Sequence, residues 1–213
     1  CRLEIVFPDA TVGGTGWMAV PRHVATAGHC LFDPRFGGEA EKVIATPGLR
    51  PGHRPYDESR MTNFHVAPGW RQTQSVEEDL GLLVLERPLG SQTGWFAFGP
   101  VAEHLLEGAR ANLAGYPTVQ QFGRRRLGQR LMHATDLIWR ASSKRLFHDI
   151  DTSDGQSGAP LWLEDAGGGA PIVVGVHAYG PASGANGPEA IHNSAIRLTA
   201  GRSAMLRDWI DAS

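Results

Sequence analysis

Three short stretches hold the side chains that could do chemistry. HVATAGHC (23–30) brings His29 to the end of a β-branched run, behind Ala27 and Gly28. EEDLGLLVL (77–85) places Asp79 immediately ahead of an apolar run. DTSDGQSGAP (151–160) holds Ser157 in a glycine-rich stretch, with Gly155 two residues before it. Each has an ordinary explanation when taken alone: a core histidine, a strand-capping acid, a hydroxyl in a turn. Taken together they supply nucleophilic acyl transfer. A serine hydroxyl is a poor nucleophile at neutral pH and needs a base to take its proton. A neutral imidazole does this, and a buried carboxylate fixes its tautomer and stabilises the imidazolium. The developing oxyanion needs convergent backbone donors, and Gly155 lets the loop turn so that its amide and that of Ser157 converge. A carboxylate ahead of a buried strand is desolvated and needs a partner. Asp79 is therefore expected to point inward, with Glu77 and Glu78 at the surface.

The elements that must position these residues read as β-strands. The chain has 213 residues, with 41% apolar and 20% charged, the composition of an ordinary soluble protein long enough for a large all-β domain or two small barrels. Gly (27) and Pro (14) punctuate short apolar runs, which predicts strands near 2–7, 16–20, 23–27, 42–46, 61–67, 80–86, 109–115, 127–139, 144–150, 158–163, 172–178 and 194–198. One amphipathic helix is predicted over 202–211, with Met205, Leu206, Trp209 and Ile210 on the face that packs on the second half of the chain. A short helical turn is expected at 101–107. AGGGA (166–170) reads as a loop, and the boundary between halves falls near 98–101. Net charge is −2, so no global field draws the chain to nucleic acid, and Arg124-Arg125-Arg126 reads as a solvated loop. No apolar run is long enough to span a bilayer. The nine histidines are scattered and show no metal-binding motif, so no metal and no cofactor are expected.

TAGHC, DLGLLVL and GQSGAP, in that order, resemble the chymotrypsin-like serine proteases. Within that family the chain is most similar to the bacterial glutamyl endopeptidases, through TGWMAVPRHVATAGHC (15–30), APGWR (67–71), AGYP (114–117) and DTSDGQSGAP. The resemblance implies two six-stranded antiparallel β-barrels and a C-terminal α-helix. Residues 1–100 would carry His29 and Asp79, and residues 101–213 would carry Ser157 and the specificity pocket. The competing nucleophile elbow, G-x-S-x-G, fails because Ala159 stands at the second glycine position and the order Ser, acid, His is not present.

The likeness also implies a substrate pocket. His177 matches the histidine with which glutamyl endopeptidases bind a substrate glutamate, and Thr152 matches their hydroxyl donor. Donors of this kind suit a carboxylate. Ala178, Tyr179 and Gly180 would form the edge that pairs with the substrate backbone. Asn193 would line the pocket base, with its neighbour His192 at the surface. The implied activity is that of a serine endopeptidase cutting peptide bonds through an acyl-enzyme, after Glu more than Asp. The alternatives are a protease of other specificity devoted to one protein partner, and a catalytically silent binding module. The partner is a peptide or protein substrate, and the chain is expected to act as a monomer.

This chain departs from the pattern in three places. Gly14 stands where many relatives have a cysteine bridged to the one after the catalytic histidine, so Cys30 is either a free thiol or bridged to Cys1. A secreted or extracytoplasmic protein is expected from the likeness, with a cytoplasmic one as the alternative that the missing bridge suggests. Asp154 replaces a common glycine, and Gln156 rather than Asp precedes Ser157, so a salt bridge from a processed N-terminus has no acceptor there.

Overall fold

The computed structural model describes residues 1–121, 124–164 and 169–213. The first half contains β1 (Arg2–Val6), β2 (Thr11–Thr15), β3 (Trp17–Val20), β4 (His23–Thr26), β5 (Phe32–Asp33), β6 (Gly38–Glu39), β7 (Lys42–Thr46), β8 (Ser59–Val66) and β9 (Gly81–Leu85). It also holds two short helices, α1 (Pro68–Thr73) and α2 (Gly90–Thr93). Its main sheet runs β2-β1-β7-β8-β9-β4-β3. The two ends of that order, β2 and β3, are consecutive stretches either side of Gly16. One bent stretch of chain thus occupies both edges, and among the described residues no ladder closes this ring, which is a half-barrel where a closed barrel was expected. A Cβ on Gly16 would lie 2.4 Å from Val24 Cγ1, so only glycine lets the corner fold this tightly. Every residue of β9 is buried, as its continuous apolar run predicts for a strand covered on both faces.

The second half contains β10 (Ala97–Phe98), β11 (Arg110–Gly115), β12 (Val119–Gln121), β13 (Arg124–Arg126), β14 (Met132–Ala141), β15 (Arg145–His148), β16 (Pro160–Leu163), β17 (Ile172–Tyr179) and β18 (Asn193–Arg197), followed by α3 (Ala200–Asp211). Its sheet order is β10-β17-β16-β11-β14-β15-β18, and β18 pairs back onto β17, so six strands close into a barrel. β10 joins from outside, parallel to β17, with Ala97 opposite Ile172 and Phe98 opposite Val173. The arginine run read as a loop forms one strand of a small hairpin instead, with β13 paired to β12. Residues 166–168 of the AGGGA stretch and the side chains of Arg124 and Arg125 lie outside the described residues. The strand expected from 127 begins only at Met132, and the turn expected at 101–107 is a single 3-10 turn at Glu103–Leu105.

The C-terminal helix is present, capped by the Thr199 hydroxyl, which accepts from the Arg202 N–H at 3.3 Å. Its packing differs from the expectation. Leu206 joins an apolar cluster that includes Leu82 and Leu83 of the first ring, and the Trp209 indole stacks on the His65 imidazole at 5.6 Å. Buried Arg202 donates to the Glu77 carbonyl in the first half and to the Lys144 and Arg197 carbonyls in the second. The helix therefore ties the halves together instead of covering one. The apolar residues from which the face was read are right, but they cannot tell which surface will meet that face.

Candidate active site

His29 lies in a single 3-10 turn, Gly28–Cys30, at the end of β4. Asp79 is fully buried just before β9, the neighbour of β4 in the sheet. One carboxylate oxygen, Oδ1, accepts the His29 backbone N–H at 2.7 Å, and Oδ2 accepts the ring Nδ1–H at 2.6 Å. This two-point grip fixes the ring orientation. Gly28 makes the approach possible, because a Cβ there would meet Asp79 Oδ1 at 3.0 Å and the Trp70 ring at 2.9 Å. Burial opposes a charge on His29, but the Asp79 carboxylate and its hydrogen bond outweigh burial and hold the imidazole pKa well above 6.5. Glu77 pairs with Lys144 at 2.6 Å and Glu78 with Arg202 at 3.3 Å, so of the three acids only Asp79 turns inward.

The loop holding Ser157 is pinned to both halves. Thr15 N–H donates to the Ser157 carbonyl at 2.8 Å, and the Thr15 hydroxyl donates to the Gly155 carbonyl at 2.9 Å. Thr118 N–H donates to the Asp154 carbonyl, and Gly158 N–H to the His177 carbonyl at 2.7 Å. Gly155 and Gly158 have φ of +93° and +87°, in the region that side chains rarely adopt. The N–H groups of Gly155 and Ser157 have no protein acceptor among the described residues, and both residues border a cleft shared with His29. Such a pair of unspent donors beside a hydroxyl suits a developing oxyanion.

His29, Ser157, Thr152, His177, Ala178, Tyr179, Gly180 and Asn193 all border one cleft of about 360 Å³, while Gly155 borders the other cleft that His29 and Ser157 share and Asp79 is buried against His29. Among the described residues no hydrogen bond joins His29 to Ser157; both border the cleft. The Thr152 hydroxyl donates to Asn193 Oδ1 at 2.9 Å, and Asn193 Nδ2 donates to the Ile150 carbonyl at 2.8 Å, which fixes that wall. His177 is buried, with Nδ1 3.3 Å from His148 Nε2. Burial, then the neighbouring His148 and His29, hold the His177 pKa well below 6.5, and burial pushes His148 down to about 4. The pocket histidine is therefore neutral. Asp154 borders the same cleft at an exposed position.

Three details differ from the sequence reading or were missed by it. His192, expected at the surface, is buried: its Nδ1 is hydrogen-bonded to Asp149, and the Trp139 ring stacks on it at 4.3 Å. A hydropathy pattern cannot show that an exposed tryptophan from another strand will cover it. Trp70, on α1, borders the cleft with its ring 6.1 Å from His29, held by an indole bond to the Phe32 carbonyl. APGWR carried the signal, with a proline at the first helical position, but a six-residue helix was not read from it. His148 was missed because nothing local marks it. Both cysteines are free: Cys1 Sγ lies 3.8 Å from Met18 Sδ, and Cys30 is buried 3.8 Å from the Ser157 carbonyl.

The family model for Trypsin matches residues 9–210, and the chain belongs to that family, the chymotrypsin-fold serine proteases. It is 29% identical over 209 residues to a glutamyl endopeptidase of Bacillus licheniformis, covering 96% of this chain and 62% of that protein. It is 27% identical over 184 residues to a protein of Bacillus subtilis named extracellular metalloprotease, covering 85% of this chain and 56% of that one. The chain thus spans about three fifths of the length of these curated relatives. A solved Glu endopeptidase in complex with MPD superposes with a TM-score of 0.80 at 20% identity, over all of this chain and 90% of the other, a likeness of fold.

Proposed function

We propose that this chain is a serine endopeptidase that cleaves after glutamate, and after aspartate less readily. In this reading Ser157 Oγ attacks the scissile carbonyl carbon while His29 Nε2 takes the hydroxyl proton. Asp79 holds the imidazolium so formed. The N–H groups of Gly155 and Ser157 receive the oxyanion. His29 then returns the proton to the leaving amine, the acyl-enzyme remains on Ser157, and water repeats the sequence to release the acid. The observation that supports the chemistry most is the pair of hydrogen bonds from His29 to buried Asp79, with His29 bordering the same cleft as Ser157.

The acidic preference rests on the uncharged wall of Thr152, Asn193 and His177, in which the Thr152 hydroxyl orients Asn193 and leaves that side chain a second Nδ2–H to donate, and on the resemblance to glutamyl endopeptidases. Ala178, Tyr179 and Gly180 would offer the backbone edge. A glutamate carboxylate entering this pocket would favour the charged form of His177, so binding would take up a proton. An extracytoplasmic location fits the name of the Bacillus subtilis relative. Wild type and Ser157→Ala on a peptide library provide the test. The proposal expects cuts after Glu from wild type and none from the variant. Cuts only after basic or aromatic residues would remove the pocket assignment, and equal cutting by the variant would remove the mechanism.

A further inference from the structure

We propose that Tyr179 is a positioning residue for the hydrolysis, its hydroxyl donating to Asp79 Oδ2, the same oxygen that receives the His29 Nδ1–H. This rests on the proposed function above. The phenol lies 2.5 Å from Oδ2 and the imidazole nitrogen 2.6 Å from it. Among the described residues Asp79 accepts from three donors, two belonging to His29 and the third to Tyr179. Sequence alone assigned Tyr179 to the substrate-pairing edge. Its side chain instead reaches across 100 residues of sequence to the other half of the chain.

A register shift in β17 explains how. His177 lies opposite Ala195 on β18, while Tyr179 lies opposite Ser194, so two steps on β17 match one on its partner. On a regular strand His177 and Tyr179 would project from the same face. The extra residue, Ala178, re-aims the tyrosine, as bulges beside active sites commonly do. Ala178 itself has only a methyl group to offer. The Tyr179 ring then lies 6.0 Å from the His29 ring and 5.8 Å from the Arg145 guanidinium, which hold it from two sides. Burial, and then the Asp79 charge, push the phenol pKa far up, so it stays protonated and serves as a donor. The other charged or titratable groups around the cluster are Arg145, Arg35, His177, Cys30 and Asp33. Two donors on one oxygen share its charge. Without the phenol, Oδ2 turns more of that charge on His29 and is freer to rotate.

Tyr179→Phe keeps the ring and removes only the hydroxyl. The expected result is a fall in kcat of about tenfold, the size of one lost hydrogen bond to a charged group. KM should hold, and the acid limb of kcat/KM should move to higher pH. In an Asp79→Asn background the same substitution should have no further effect. An unchanged kcat and pH profile, a raised KM at constant kcat, or an equal loss in the Asp79→Asn background would each overturn the proposal. Replacing all three tyrosines of the chain with 3-fluorotyrosine keeps the fold and strengthens the donor. It should move the acid limb to lower pH, and an unmoved limb would count against the idea even if Tyr179→Phe fails to fold. If Ser157→Ala abolishes activity while both changes at Tyr179 are silent, only this assignment fails. If Ser157→Ala stays active, the hydrolytic mechanism fails as well.

Discussion

At the scale of single residues, Gly158 shows how little freedom the Ser157 loop has. Its φ is +87°, and a Cβ there would lie 2.1 Å from both the Thr15 carbonyl and the Thr26 hydroxyl. Gly52 has a similar φ of +72° with open space around it. Gly158→Ala is therefore expected to cost about 3 kcal/mol or more, since clash adds to backbone strain. Gly52→Ala should cost only about 1 kcal/mol, the strain alone. Urea denaturation of the two variants measures the difference, and equal losses would mean that the loop can shift to admit a methyl. Much at this scale was legible in the sequence. Small residues before His29, a glycine two before Ser157 and an acid ahead of a buried strand have local reasons to be there. Tyr179 was legible only as part of the substrate-pairing edge, not as a partner of Asp79, and His148 and Trp70 were not read as parts of the site, because their side-chain partners are distant in sequence.

At the scale of elements, the first half-barrel curls around Gly14, Gly16 and the β4 turn. A Cβ on Gly14 would lie 3.1 Å from the Cys30 sulfur, and Gly14 has an ordinary φ. A cysteine placed there can reach Cys30 across a short loop without backbone movement. Gly14→Cys should form a disulfide under oxidising conditions and raise stability by about 3 kcal/mol, an effect that disappears on reduction. Free-thiol titration with and without reductant, followed by thermal melting, checks both parts; three free thiols persisting under oxidising conditions, rather than Cys1 alone, would contradict the geometry. Strand positions were legible from alternation and from glycine and proline punctuation. The bulge at Ala178 and the strand beginning at Met132 were not, because strand pairing across the barrel decides them rather than local propensity. The amphipathic face of α3 was legible. The surface it meets was not, because Trp209 finds His65 more than a hundred residues away.

At the scale of the whole molecule, buried histidines set the response to acid. Burial lowers the pKa of His148 to about 4, that of His177 well below 6.5, and those of His23 and His65 to a lesser degree. These groups stay neutral in the folded chain, while the unfolded chain protonates them as pH falls through about 6.5. Stability is therefore expected to fall from about pH 6.5 towards pH 4. His29 works in the opposite sense. Its raised pKa contributes stability that is fully present below about 6.5 and is lost as pH rises through the folded value. Urea midpoints measured from pH 4 to pH 9 should pass through a maximum between these limits, and a flat profile would contradict the burial of the histidine pair.

In the proposed mechanism the two halves also meet in the reaction itself, with His29 and Asp79 from one ring and Ser157 from the other. Fluorophosphonate labelling followed by peptide mapping tests that union most directly. The predicted result is a single adduct on Ser157, formed faster as pH rises through a His29 pKa above 6.5, and formed far more slowly in His29→Ala. A folded protein that never labels, or one that labels on another residue, would contradict it.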